Sequence, residues 1–269
     1  MQKSRKSNLI LIILGVILAG PAIKGQEGSQ QSKDKVKLLV DQAIRALGGD
    51  AYLGVKDYSA LGRYYVIEED RQGWTEFVDQ TRYPSKVRQE TGKKSDKETT
   101  VYDLDAGKGW ILYGDFEVKP VTPEQIDKFK KSFNHSLDFI LRYRLREKGL
   151  TTHYFGSDLV GGRKAVEVVE IIDAENDTIR IAFEVSSGLP FRVEFQEIGK
   201  FGRKLRIAEE YSNWHAIEGV NTPMRTDRFT NEQPSAQIFI TKIDYNVGLP
   251  DTLFVEPTIN PKNIKKKKP

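Results

Sequence analysis

Residues 178–196 read TIRIAFEVSSGLPFRVEFQ, and this stretch decides the fold. Ile179, Ile181, Phe183 and Val185 alternate with Arg180, Ala182 and Glu184, the period-two pattern of a strand with one buried face. Ser187-Gly188-Leu189-Pro190 turns the chain. Phe191, Val193 and Phe195 then alternate with Arg192, Glu194 and Gln196. Two strands joined by so short a turn pair antiparallel.

The same signal recurs outward from this hairpin. Upstream strands are expected at residues 58–68, 74–82, 85–90, 99–104, 110–113 and 165–172. The last of these is broadly apolar, so both of its faces should be covered. Downstream strands are expected at 204–211, 224–230 and 237–245, before Leu253, Phe254 and Val255 close the fold. Turn clusters such as Tyr83-Pro84 and residues 105–109 separate them. Two helical regions interrupt the series. Across residues 33–47, Val36, Leu39, Val40, Ala43, Ile44 and Leu47 recur at spacings of three and four, and Gly48-Gly49 ends the run. Thr122-Pro123-Glu124 opens a second, with Ile126, Phe129, Phe133, Leu137, Ile140 and Leu141 as its apolar stripe and a break expected near His135. The fold class is therefore α+β, mainly β. Most strands have no helix between them, which argues against a doubly wound α/β arrangement.

Lys3, Arg5 and Lys6 precede an apolar run from Leu9 to Ala19, with small residues at Gly20, Ala22 and Gly25. That is the layout of a secretory signal over residues 1–25, too short for the roughly 20 apolar residues of a spanning helix. A polar linker is expected at 26–32, the folded domain at 33–258 and a basic, disordered tail at 259–269. Residues 1–25 hold four basic groups and no acid, so the formal charge of +4 falls to zero without them. The basicity lies at the two ends, and a nucleic-acid partner is not expected. A chain of 269 residues with no cysteine is large enough to be stable without disulfides in an oxidising envelope.

Motifs of catalysis are missing. His135, His153 and His215 have no partner at metal-ligand spacing and read as surface or packing histidines. No Gly-x-Ser-x-Gly elbow, P-loop or dinucleotide fingerprint occurs. Acid pairs at Asp103/Asp105 and Glu209-Glu210 leave a carboxylate hydrolase open as a weaker alternative. Neither a cofactor nor a metal is expected.

The order of elements resembles the outer-membrane lipoprotein carrier family (LolA/LolB-like). The resemblance rests on the leading helix, the Pro turn in residues 83–88 (YPSKVR), the turn at 103–110 (DLDAGKGW) that precedes a strand starting with Trp110, the middle helices, Ser187-Gly188-Leu189-Pro190, and Phe254 with Pro257. It implies an incomplete antiparallel β-barrel of about eleven strands wrapped around helices, with a cavity for acyl chains and the central helices as a lid. The carrier has arginine immediately before its Pro turn. Here Tyr83 stands there and Arg82 precedes it. Apolar burial alone could hold such a ligand, since each buried methylene is worth roughly 0.8 kcal/mol.

On that resemblance, Tyr65, Phe77, Arg82, Val87, Trp110, Ile181, Phe183, Val193 and Phe195 are the candidate ligand-binding residues; the bland alternative is that they fill a core. The expected function is a monomeric periplasmic carrier for lipid, acyl chains or acylated protein, with an envelope membrane complex as a further partner. A protein-interaction module with a closed core is the main alternative.

Overall fold

The computed structural model describes residues 25–68, 71–92, 96–114 and 116–259. The expected signal at 1–25 and the tail at 259–269 lie almost wholly outside these residues. The first helix, α1 (Gly25–Leu47), starts earlier than periodicity places it and takes in the stretch expected to be a linker. Gln and Glu, which dominate that stretch, are good helix formers although they add no apolar period to the sequence. Val36, Leu39, Ala43 and Leu47 are the buried stripe. Gly48 ends α1 at φ 125°, and a Cβ there would sit 2.1 Å from the Gly219 carbonyl oxygen, so only glycine fits. A single turn, α2 (Asp50–Leu53), follows.

Six strands come next: β1 (Asp57–Glu68), β2 (Arg71–Arg82), β3 (Lys86–Thr91), β4 (Glu98–Asp103), β5 (Lys108–Tyr113) and β6 (Glu117–Pro120). Then come α3 (Pro123–Asn134) and α4 (Leu137–Arg142), split at His135 as the sequence anticipates. Thr122 and Gln125 cap α3 reciprocally, side chain to backbone in both directions. Seven strands complete the chain: β7 (Thr151–Val160), β8 (Lys164–Ile172), β9 (Thr178–Glu184), β10 (Pro190–Ile198), β11 (Lys204–Ile217), β12 (Val220–Thr230) and β13 (Gln233–Tyr245).

All thirteen form one sheet in the order β6-β5-β4-β3-β2-β1-β13-β12-β11-β10-β9-β8-β7. Every pairing is antiparallel. The sheet is thus two meanders joined where the first strand pairs with the last. It stays open between β6 and β7, which are consecutive in the chain, and α3 and α4 occupy the connection between those edges. The expected eleven-stranded incomplete barrel wrapped around helices is corrected to a thirteen-stranded open sheet. The two strands missing from the expectation, β6 and β7, are the edges. Their residues include Glu117, Lys119, His153, Gly156 and Asp158, and a strand with one unpaired side needs no apolar run.

The helices pack on one face. Ile179, Ile181, Phe183 and Val193 meet the stripe of α1, while Leu137, Ile140 and Leu141 of α4 join the same core. Val185, expected to continue the buried row, lies beyond β9 and is exposed. Phe129 of α3 stacks on Tyr102 of β4 with ring centres 3.8 Å apart. On the opposite face the 3₁₀ turn Asp251–Phe254 covers Val101 and Trp110.

Candidate functional site

Between the sheet and the helices lies a cavity of about 330 Å³, at the small end of the roughly 300–1,000 Å³ usual for ligand sites. Its floor is the join of the two meanders. β1 contributes Tyr58 and Ala60, β2 contributes Phe77, Asp79 and Thr81, and β3 contributes Val87 and Gln89. Each set alternates along its strand, so the register places one face of all three in the cavity. Glu209 and Tyr211 of β11, Thr226 of β12, and Ile238, Ile240, Ile243 and Tyr245 of β13 continue the floor. Phe129, Phe133, His135, Leu137 and Asp138 come down from α3 and α4 as the roof.

The roof is tied to the floor through aromatic contacts and one arginine. Tyr83 lies 5.5 Å from Tyr143 and 6.1 Å from Tyr58, ring centre to ring centre, and Phe133 lies 4.7 Å from Phe139. Arg142, buried at the end of α4, places its guanidinium 4.1 Å from the centre of the Tyr52 ring and 5.3 Å from that of Tyr83. It also donates to the Val55 carbonyl (3.5 Å) and to Asp138 Oδ1 (3.4 Å). Arg142 thus pins α4 to the loop that follows α2.

Polar groups are set into this apolar wall. Asp79 Oδ2 accepts from the Tyr58 hydroxyl at 3.2 Å, and Gln89 faces it across the strand pair. Burial pushes the Asp79 carboxyl up from 3.8 to about 6, against the lowering effect of Tyr58 and Gln89. Burial also holds the Tyr58, Tyr83 and Tyr211 phenols well above the ordinary range, helped by the nearby charges of Asp79, Asp138 and Glu209 respectively. His135 is buried, its Nε2 is 2.5 Å from Asp177 Oδ2, and its ring lies 4.2 Å from that of Phe195. That hydrogen bond lowers the Asp177 carboxyl against the opposing effect of burial.

The nine residues named from sequence divide three ways. Phe77, Val87 and Phe195 line the cavity. Ile181, Phe183 and Val193 are core beneath α1. Tyr65, Arg82 and Trp110 are not brought to the cavity at all. Tyr65 pairs with Trp74 and Phe239 on the opposite face of the sheet. Trp110 packs with Val101, Leu249, Leu253 and Phe254 on that same face. Arg82 donates to the Leu249 carbonyl (3.2 Å), pairs with Asp251 and lies over the Phe254 ring (5.1 Å). The aromatic content was legible, but a strand exposes neighbours to opposite faces, and one step of register separates cavity from outer wall. Asp79 was missed although Phe77, Asp79 and Thr81 share a face. His135 and Arg142 were missed because each sits beside an apolar helical stripe.

Among the described residues no cluster of three or more His, Asp or Glu side chains could hold a metal ion, and no helix is long and apolar enough to cross a membrane.

No family model and no curated protein matches the sequence. Solved structures do. A LolA-superfamily protein from Nitrosomonas europaea aligns with TM-score 0.55 at 10% identity, over 82% of this chain and 97% of that one. The fold is LolA-like. A DUF1329-family protein from Desulfovibrio piger (TM-score 0.54, 14% identity, 82% and 97% covered) shares it. So does an outer-membrane lipoprotein-sorting protein domain from Vibrio parahaemolyticus (TM-score 0.51, 12% identity, 89% and 100% covered). At these identities the LolA-like likeness speaks to architecture alone.

Proposed function

We propose that this chain is a non-catalytic carrier or binding protein for lipid, acyl chains or acylated protein in the bacterial envelope. One observation carries this reading: the cleft of about 330 Å³ between the sheet floor and α3–α4, with Phe77, Val87, Phe195, Ile238 and Ile240 in its wall. A concave, mainly apolar cleft with a few polar groups in its wall is the usual form of a small-ligand site. The LolA-like fold supports the same conclusion. The outer-membrane lipoprotein-sorting domain from Vibrio parahaemolyticus aligns with this chain over its full length. In this reading residues 1–25 export the chain to the periplasm, residues 33–258 are the carrier domain, the basic tail is solvated, and the carrier works as a monomer.

An apolar guest suits such a site. Burying ten methylenes would contribute on the order of 8 kcal/mol before ordering costs, with no reactive group required. α3 and α4 are the elements that would move to admit it, since they span the connection between the two open edges.

The deciding experiment is native mass spectrometry of the exported protein, paired with titration of the delipidated protein with a fluorescent fatty-acyl probe. Co-purifying lipid, or saturable probe binding with one site, is the expected result. A protein that emerges without lipid and ignores the probe is no carrier; recovery of a specific cross-linked partner would then favour a protein-interaction module.

A further inference from the structure

The polar chemistry of the cavity wall selects among apolar guests. Three acids line it, Asp79, Asp138 and Glu209, and its described lining includes neither lysine nor arginine. Two of the acids are neutralised from outside the wall. Asp138 receives Arg142 at 3.4 Å, and Glu209 receives Arg228 at 2.7 Å as well as the Tyr211 hydroxyl at 3.0 Å. Asp79 has no such cation among the described residues. Its polar neighbours are the neutral Tyr58 hydroxyl, which donates to Oδ2, and the neutral Gln89 amide, while Oδ1 is buried without a hydrogen-bond partner.

A second unsatisfied atom lines the same cavity. His135 is only 4% exposed, and its Nδ1 is buried without a hydrogen-bond partner. Its Nε2 is engaged with Asp177 Oδ2 at 2.5 Å, so Nδ1 is the ring nitrogen left open to a further partner. The Tyr52 hydroxyl, also in this lining, is a third buried atom without a partner, but of the three only Asp79 Oδ1 is an acceptor alone and calls for a donor once the carboxyl is ionised. A buried acceptor left unpaired is costly, and an uncompensated carboxylate more so, which is a requirement a guest can meet.

Resting on the reading of this cavity as a ligand site, we propose that it takes an apolar chain ending in a hydrogen-bond-donating cation, an ammonium group, and discriminates against chains ending in a carboxylate or phosphate. The Asp79 carboxylate is the selecting group. A carboxylate guest would face Asp79 with like charge and bring no donor. An ammonium brings charge complement and three donors.

Displacement of a neutral fluorescent alkyl probe from the full chain at pH 8 tests this. Hexadecylamine should displace the probe at a concentration at least about tenfold lower than palmitate. In D79N the two should fall within about threefold of each other. In E124Q, which removes an exposed acid of α3 away from the cavity, the tenfold preference should persist. Equal displacement by both amphiphiles in the unaltered protein would overturn the selection while leaving the carrier reading intact. Equal loss of preference in D79N and E124Q would also overturn it, because overall charge would then explain the result. A probe that never binds would end both the selection and the carrier reading.

Discussion

The guanidinium of Arg142 stacks 4.1 Å from the centre of the Tyr52 ring, although the two residues lie on opposite sides of the β1–β6 meander in sequence. The contact joins α4, part of the cavity roof, to the short helix that follows α1. Replacing Arg142 with methionine keeps much of the packing volume. It removes the cation–π contacts, the bond to the Val55 carbonyl and the partner of Asp138. Deleting one member of a buried pair costs about 3–5 kcal/mol. Asp138 keeps 42% of its side chain exposed and can hydrate, so the low end, about 3 kcal/mol, is expected. Urea unfolding of R142M against the unaltered protein measures it. A loss below about 1 kcal/mol would mean that α4 is held by Leu137, Ile140 and Leu141 alone.

Asp79 should give the protein a stability that falls as pH rises. Its carboxyl titrates at about 6 when folded against 3.8 ordinarily, so between those values the native state holds a proton that the unfolded chain has released. The stabilisation is complete below pH 3.8, declines through the window and is gone above about pH 6. The difference is worth roughly 3 kcal/mol at most. D79N lacks this dependence and should exceed the unaltered protein in stability by about 1–3 kcal/mol at pH 7.5, with the gap shrinking at pH 4.5. Denaturant melts at both pH values decide it. A gap that stays constant would assign the effect to packing.

Much of this architecture could be read from period and punctuation. The row Ile179, Ile181 and Phe183 announced its own burial, and Gly48-Gly49 and Thr122-Pro123 marked helix ends where the structure has them. The edge strands β6 and β7 were illegible, because an unpaired edge imposes no apolar requirement on the sequence. The site was legible only in part. Phe77 and Tyr65 have the same kind of strand context, yet Gly62 pairs with Phe77 on the cavity side while Tyr65 and Trp74 share the far side. Which of the two alternating faces receives the helices is decided by packing between distant segments and not by the strand pattern itself. His135 and Asp177, too, are brought together only by the closure of α3 over β9, and neither carries a local signal.

Arg82 should matter to the C-terminal segment and not to the ligand. It holds the Leu249 carbonyl and Asp251 from the outer face, while Asp57 accepts from the Gly248 and Leu249 amides at 3.2 Å each. R82A should loosen residues 247–256 and lower stability, chiefly through the lost bond to the Leu249 carbonyl and the contact over Phe254, because the exposed Asp251 partner is screened by water. Amide hydrogen exchange should rise there and nowhere in the cavity wall, and probe affinity should be unchanged. A marked fall in affinity would return Arg82 to the role first expected of it.

Filling the floor of the cavity separates a ligand site from a packing defect. Ala60 is 2% exposed, lines the hollow from β1 and lies beside Asp79 across the strand pair. A60F directs a phenyl ring into the space that a guest would use. If the hollow is a binding site, probe affinity should fall at least about tenfold, equivalent to 1.4 kcal/mol. The circular dichroism spectrum should remain that of a folded sheet. Stability should change little, since the ring enters existing volume and avoids the usual overpacking cost of about 1–3 kcal/mol. If A60F instead binds the probe as well as the unaltered chain does, the guest lies elsewhere and the hollow is only imperfect packing. If it unfolds, the smaller A60V, which adds two methyl groups to the same wall, should still show a graded loss of affinity in a folded protein.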